Sequence, residues 1–180
     1  TKFEINFKPE RINFILRKLQ IMDRIISDSE PVFIIAEIGI NHQGSLDIAK
    51  TLIIKARECG ADAVKFQKRS INRILTREGL DMPYENRDSF GKTYGEHKRA
   101  LELSEDDYRE LIEFTNKNDL LFSASGWDEE SVDFLVKIEV PFLKMASADL
   151  SNFPLLKHTA KTGFPVILST GMSTKENIEE

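Results

Sequence analysis

A single cysteine, Cys59, excludes an internal disulfide and fits a reducing compartment. No apolar run approaches the roughly 20 residues that a membrane-spanning helix needs. There is no basic excess either. The 25 Lys and Arg against 30 Asp and Glu give a net charge of −5, which argues against a nucleic-acid partner. No long run carries one sign of charge, so no acidic or basic tail is assigned. The opening Thr1-Lys2-Phe3-Glu4 lacks the basic-then-apolar layout of a signal peptide. A cytoplasmic protein with no membrane partner is the expectation. A first residue other than methionine suggests an N-terminus that was processed or cut.

What is present is ordinary globular material. The chain is 41% hydrophobic and 31% charged, enough for one sizeable core. From Pro31 onward one pattern recurs: an apolar run rich in β-branched residues, a polar loop, then helical spacing. The predicted strands are Val32 to Ala36, Ala61 to Phe66, Leu120 to Ser123, Pro141 to Lys144 and Pro165 to Ser169. Leu46, Ala49, Leu52, Ile53 and Ala56 give the first helix its buried face, and Gly60 stops it. A long polar segment, about Arg69 to Leu103, precedes the second helix, which Ser104 caps with Asp107 three residues on. Tyr108, Leu111, Ile112 and Thr115 form its apolar face. Asp128 opens the third helix. The fourth begins near Pro154 and ends at Gly163. Ser173 with Glu176 reads as a further capping box.

Continuous rather than alternating apolar strands signify a parallel sheet buried on both faces. Successive βα units point to a doubly wound sheet or a (β/α)8 TIM barrel. A complete barrel takes about 250 residues, so the chain is expected to hold about the first five βα units, truncated and unable to close by itself. On this reading 31–180 form the N-terminal portion of the barrel and 1–30 an N-terminal extension. Within the extension, Gln20 to Met22 and Ile25-Ile26, with Asp23-Arg24 between, read as a small hairpin at the barrel bottom. Arg11 to Leu19 suits strand and helix equally.

Sites in parallel α/β proteins form at the C-terminal ends of the strands. Here five such ends are polar. Lys65 and Lys144 lie on strands that should be buried, where a lysine needs a partner. Ser125, Ser147 and Ser169 stand beside Gly or Ala, which lets backbone N–H groups approach an anion while the hydroxyls donate as well. Lysine supplies a point charge for phosphate or carboxylate. Glu37 and Asp149 add carboxylates for sugar hydroxyls or proton handling. Each residue also has a plainer reading. A strand-end lysine can be a salt-bridge partner, and Glu37 its counter-ion. His42 and His97 read as hydrogen-bonding loop residues, and His158 as a helix residue away from the site. Cys59 reads as a small buried hydrophobe and Trp127 as a packing residue. The coincidence of five polar ends on one face favours the functional reading.

At these residues the sequence resembles the sialic acid (N-acetylneuraminate) synthase family. Phe33-Ile34-Ile35-Ala36-Glu37-Ile38-Gly39-Ile40-Asn41-His42-Gln43-Gly44 is similar to its opening motif. The segments Gly60 to Gln67, Gly91 to Arg99 and Leu168-Ser169-Thr170-Gly171-Met172 are similar too, in the right order. The resemblance runs from about Glu30 to Glu180. It implies condensation of phosphoenolpyruvate with N-acetylmannosamine or its 6-phosphate, giving N-acetylneuraminate or its 9-phosphate and phosphate. It implies a divalent metal, manganese or magnesium, in the complete enzyme as a Lewis acid. It also implies a homodimer at full length. By motif position, Lys65, Ser125, Lys144, Ser147 and Ser169 would bind phosphoenolpyruvate. Glu37, Gln67 and Asp149 would face the sugar, an N-acetylhexosamine, and the metal-side water. Glu37, Lys65, Lys144 and Asp149 would be the catalytic set.

Asp149 stands where many bacterial members have glutamate. Ser123-Ala124-Ser125-Gly126 looks more like the animal members, which favours the 6-phosphate. The family's metal-binding histidines and its C-terminal antifreeze-like domain have no counterpart in this chain. No metal ligand is therefore expected in it, and alone it should be inactive. Three alternatives stay open: a legionaminic or pseudaminic acid synthase, a non-catalytic anion-binding fragment, and an aldolase forming a Schiff base on Lys65 or Lys144.

Overall fold

The computed structural model describes residues 18–179 and divides the chain into two compact units, one ending at Phe33 and one beginning at Ile34. In the first, β1 (Leu19–Ile21) and β2 (Arg24–Ile26) pair antiparallel, Leu19 opposite Ile26. The hairpin was expected, but its turn is Met22-Asp23, because Met22 takes the left-handed conformation (φ 54°) that a two-residue loop demands. Arg24 belongs to the strand. Most of the Arg11 to Leu19 segment lies outside the described residues.

The second unit is built on five parallel strands: β3 (Ile35–Gly39), β4 (Ala63–Lys68), β5 (Leu121–Gly126), β6 (Leu143–Met145) and β7 (Val166–Leu168). They are hydrogen-bonded in strict chain order. That order separates the two architectures left open by the sequence. A doubly wound sheet reverses its strand order at a switch point. Right-handed crossovers with no reversal place every helix on one face and leave the other as the inside of a barrel. The fold is α/β with barrel winding.

The helices of the layer are α1 (Leu46–Glu58), α2 (Ile71–Ile74), α3 (Arg77–Asp81), α4 (Tyr94–Ala100), α5 (Glu105–Asn116), α6 (Glu129–Lys137), α7 (Phe153–Lys161) and α8 (Lys175–Glu179). Except at α2, their starts are set by side chains that satisfy free N–H groups. Ser45 caps α1, and Ser104 and Asp107 form the predicted capping box of α5. Asp128 caps α6 and also accepts from the Ser70 N–H at 2.7 Å and the Ser131 hydroxyl at 2.7 Å, tying the exit of β4 to α6. At α8 the reciprocal pair is Thr174 with Asn177, one residue past the predicted Ser173 and Glu176. The segment from Arg69 to Leu103, read only as long and polar, folds into α2, α3 and α4. Pro83 bridges Thr93, and a capping box of Thr93 and Glu96 starts α4.

The core lies between the sheet and this helix layer. Phe66 stacks on Phe122 with centroids 5.1 Å apart, and Tyr108 meets Phe122 and Phe134 edge-on. Val64, Ala124, Leu143 and Met145 complete the sheet's contribution, and Ile53, Leu111, Val132 and Leu135 that of the helices. No helix among the described residues is long and apolar enough to cross a membrane.

The β3–α1 loop is seated by Gly44. Its φ is +76°, and a Cβ there would lie 2.0 Å from the Ala100 carbonyl oxygen at the end of α4. Gly44→Ala should therefore destabilise the protein by more than about 1 kcal/mol, read from urea denaturation. Gly171→Ala, with nothing within 4 Å of its added Cβ, should stay within about 0.5 kcal/mol.

Candidate functional site

Alternation along the strands decides which side chains meet. On β4, Val64 and Phe66 join the hydrophobic core, so Lys65 and Gln67 point to the other face. Parallel pairing then builds two polar rows across that face. Glu37, Lys65 and Ser123 are register partners in one, and Gln67, Ser125 and Lys144 in the next.

The Lys65 ammonium, in a residue only 5% exposed, joins the rows. It pairs with Glu37 Oε2 at 2.8 Å and donates to Ser125 Oγ at 3.0 Å and the Phe66 carbonyl at 3.3 Å. Lys144 donates to the Met145 carbonyl at 2.7 Å and to Ser169 Oγ at the end of β7. Burial, then the nearby Lys65 charge, push the Lys144 ammonium below the usual lysine range; Glu37 partly offsets this. Ser123 is a structural member of the row, its hydroxyl donating to the Phe142 carbonyl at 2.8 Å. Gly39, at φ +57°, leaves room for its neighbours. A Cβ there would sit 3.2 Å from Glu37 Oε1 and 3.4 Å from Gln67 Nε2.

The structure thus brings together Glu37, Lys65, Gln67, Ser125, Lys144 and Ser169. Ser147 stands just beyond Met145, opening the 3-10 turn Ser147–Asp149, and is half-buried. Asp149 makes no contact with either lysine. Its Oδ1 accepts from Asn152 at 3.5 Å, while its buried Oδ2 has no partner. It lines a separate cavity of about 520 Å3 at the same end of the sheet. Burial raises its carboxyl above the usual aspartate range, and the Asn152 hydrogen bond partly offsets this.

Trp127 and Asn152 line the same cavity and were not singled out as functional in the sequence. Trp127 was legible in principle, since it lies two residues past Ser125 on the same strand end.

The remaining candidates have structural roles. Buried His42 accepts the Gly44 N–H at 3.1 Å and packs on Phe66; burial first, then Arg69, lower its pKa. His97 lies on α4, not in a loop, because the Thr93 cap starts that helix four residues earlier; it accepts the Phe90 N–H at 3.3 Å. His158 pairs with Asp133 at 2.6 Å between α7 and α6. Cys59 is exposed rather than buried, because it caps the C-terminal end of α1 beyond its apolar face. Among the described residues no three His, Cys, Asp or Glu side chains stand together to hold a metal.

The cluster carries two ammonium groups against one carboxylate. Three hydroxyls stand on or beside it. Such a set is chemically suited to an anion of the phosphate or carboxylate kind. Comparison with known proteins identifies the family. The profile of the NeuB family matches residues 52–180. The chain is 49% identical over 157 residues to N-acetylneuraminate-9-phosphate synthase of Homo sapiens, covering 87% of this chain and 44% of that protein. It is 41% identical over 147 residues to N,N'-diacetyllegionaminic acid synthase of Legionella pneumophila, covering 81% of this chain and 41% of that protein. The crystal structure of N-acetylneuraminic acid synthetase from Leptospira borgpetersenii in complex with citrate matches with a TM-score of 0.74 at 31% identity, over 91% of this chain and 53% of that one. The chain spans less than half the length of these two curated relatives.

The raised Asp149 carboxyl fixes the sign of a pH effect. Its folded pKa lies above its unfolded one, so stability is greatest below the unfolded value and falls as pH rises through the folded one. Asp149→Asn should therefore melt at a higher temperature than the natural protein at pH values well above the ordinary aspartate range. The difference should close below about pH 4, as followed by calorimetry.

Proposed function

Because this chain belongs to the NeuB family, we propose that it serves the condensation of phosphoenolpyruvate with N-acetylmannosamine 6-phosphate. The products are N-acetylneuraminate 9-phosphate and inorganic phosphate. The observation that carries this reading is the Glu37–Lys65–Ser125 and Lys144–Ser169 cluster on the sheet face opposite the core. The 9-phosphate is favoured by the name of the human relative.

In this reading Lys65 and Lys144 hold the phosphate and carboxylate of phosphoenolpyruvate. Ser125, Ser147 and Ser169 donate to their oxygens. Fixed donors of this kind stabilise developing negative charge without reorganising. Glu37, Gln67 and Asp149 face the sugar and the attacking water. Carbon 3 of phosphoenolpyruvate bonds to the sugar's aldehyde carbon, and the aldehyde oxygen takes up a proton. Water adds at carbon 2, and phosphate leaves by cleavage of its bond to that carbon. With its lowered pKa, Lys144 suits giving a proton to the departing phosphate. The described residues do not gather a metal-ligand set. The divalent metal, manganese or magnesium, is therefore proposed only for the full-length enzyme. A homodimer and a cytoplasmic location belong to the same proposal.

A second reading has its own support. The legionaminic acid synthase relative indicates the same chemistry on a different sugar. A Schiff-base aldolase would also use a depressed lysine such as Lys144. Full-length protein supplied with phosphoenolpyruvate and manganese should release phosphate with N-acetylmannosamine 6-phosphate. Borohydride with pyruvate should trap no adduct. Lys65→Met and Lys144→Met should each lower the release rate by about 100-fold or more. No release with N-acetylmannosamine 6-phosphate or with unphosphorylated N-acetylmannosamine would move the assignment to another nine-carbon acid. A trapped adduct on Lys144 would establish the aldolase instead.

A further inference from the structure

The aromatic cluster of the core carries one hydroxyl, that of Tyr108. The residue is fully buried at the start of α5, and its phenol donates to the Gln67 carbonyl at 2.5 Å. The ladder explains why that carbonyl is open to it. At the two ends of β4 the Asp62 and Lys68 carbonyls turn toward β5, where they accept the Leu121 and Trp127 N–H groups at 3.0 and 3.1 Å. Successive carbonyls alternate in direction along a strand, so the Gln67 carbonyl turns the other way, toward β3. There the pairing stops, with Gly39 opposite Phe66. Gly39, at φ +57°, bends the chain away, and the Asn41 N–H folds back onto the Ile38 carbonyl at 3.0 Å. A ladder carbonyl that loses its strand partner needs another donor, and the Tyr108 hydroxyl supplies it.

The same ring holds the next residue. The Lys68 ammonium lies 5.3 Å from the Tyr108 centroid and 5.4 Å from that of Phe134, and it donates to the Leu103 carbonyl at 3.3 Å. The ring is itself fixed edge-on against Phe122 and Phe134. Burial, then the Glu102 carboxylate, hold the phenol far above the ordinary tyrosine range, with Arg69 offsetting part of this, so it stays a donor. We propose that Tyr108 is a positioning residue: from the helix side of the sheet it fixes the Gln67–Lys68 peptide and so aims the Gln67 side chain on the site face. Gln67 stands in the row of Ser125 and Lys144, close to Gly39. Rotation of its peptide would swing the side-chain amide out of that row. A ring whose only duty was packing would need no hydroxyl, as Phe122 and Phe134 beside it need none. The inference rests on the condensation reading, in which Gln67 faces the sugar.

The test uses full-length protein and two variants. Tyr108→Phe removes the hydroxyl and keeps the ring; Phe134→Leu loosens the same cluster and keeps the hydroxyl. Tyr108→Phe should raise KM for the sugar about fivefold and leave KM for phosphoenolpyruvate unchanged. Phe134→Leu should lower the melting temperature and change neither KM. In a Gln67→Ala background Tyr108→Phe should add no further rise, since the two residues act as a unit. An unchanged sugar KM, an equal rise in both KM values, the same rise from Phe134→Leu, or full additivity with Gln67→Ala overturns the inference and leaves the condensation intact. So does a Tyr108→Phe protein that shows no cooperative melting, because the hydroxyl then serves the fold itself. If the natural protein turns over neither N-acetylmannosamine nor its 6-phosphate, the condensation reading fails. A crystal structure of Tyr108→Phe then decides the positioning role: a displaced Gln67 side chain sustains it, and one that keeps its place beside Gly39 overturns it.

Discussion

A lysine ammonium buried within a parallel sheet has to be met by acceptors in fixed places, and Lys65 is met from three directions. Glu37 reaches it from β3, Ser125 from β5, and the Phe66 carbonyl from its own strand. Ion pairs of this kind seldom add net stability, because desolvation offsets the attraction. An apolar residue at Lys65 would serve the fold as well or better. The arrangement makes sense as a site kept ready for an anion. Lys144 supports this, since its three N–H groups have only two described acceptors, the Met145 carbonyl and Ser169 Oγ.

The rest of the second unit can be understood as the support for that face. Strict strand order with right-handed crossovers confines the helices to the opposite side. Phe66 and Phe122 then occupy sheet positions between the polar ones, and Tyr108 and Phe134 pack on them from the helices. A side-chain period of two along each strand converts a stable core on one face into a registered polar grid on the other. Glu37, Lys65 and Ser123 share one row because their strands are hydrogen-bonded in that register. Loops contribute the outer parts: Gly44 packs the β3–α1 turn against α4, and Asp128 anchors the start of α6 to the exit of β4.

Much of this was legible in the residues themselves. Apolar runs located all five strands of the sheet, and Ser104 with Asp107 located the start of α5. All but β7 nevertheless run further toward their polar ends than the apolar runs do. β3 extends to Gly39 and β5 to Gly126, because ladder hydrogen bonds continue through residues whose side chains serve the site. Glu37, Gln67 and Ser125 therefore sit on strands, which holds them more rigidly than loops would. The stretch from Arg69 to Leu103 was opaque because its helices are short and mostly polar, and the capping box of Thr93 and Glu96 was its one clear signal. Which carboxylate joins which lysine was not legible. That depends on register and on the turn after β6, which carries Asp149 to the neighbouring cavity and away from the cluster.

The most direct test of this account is a crystal structure of the full-length protein with phosphoenolpyruvate. The account predicts that its anionic groups lie within hydrogen-bond distance of Lys65 Nζ, Lys144 Nζ, Ser125 Oγ and Ser169 Oγ. Phosphoenolpyruvate bound elsewhere, with both lysines keeping only their present partners, would contradict it.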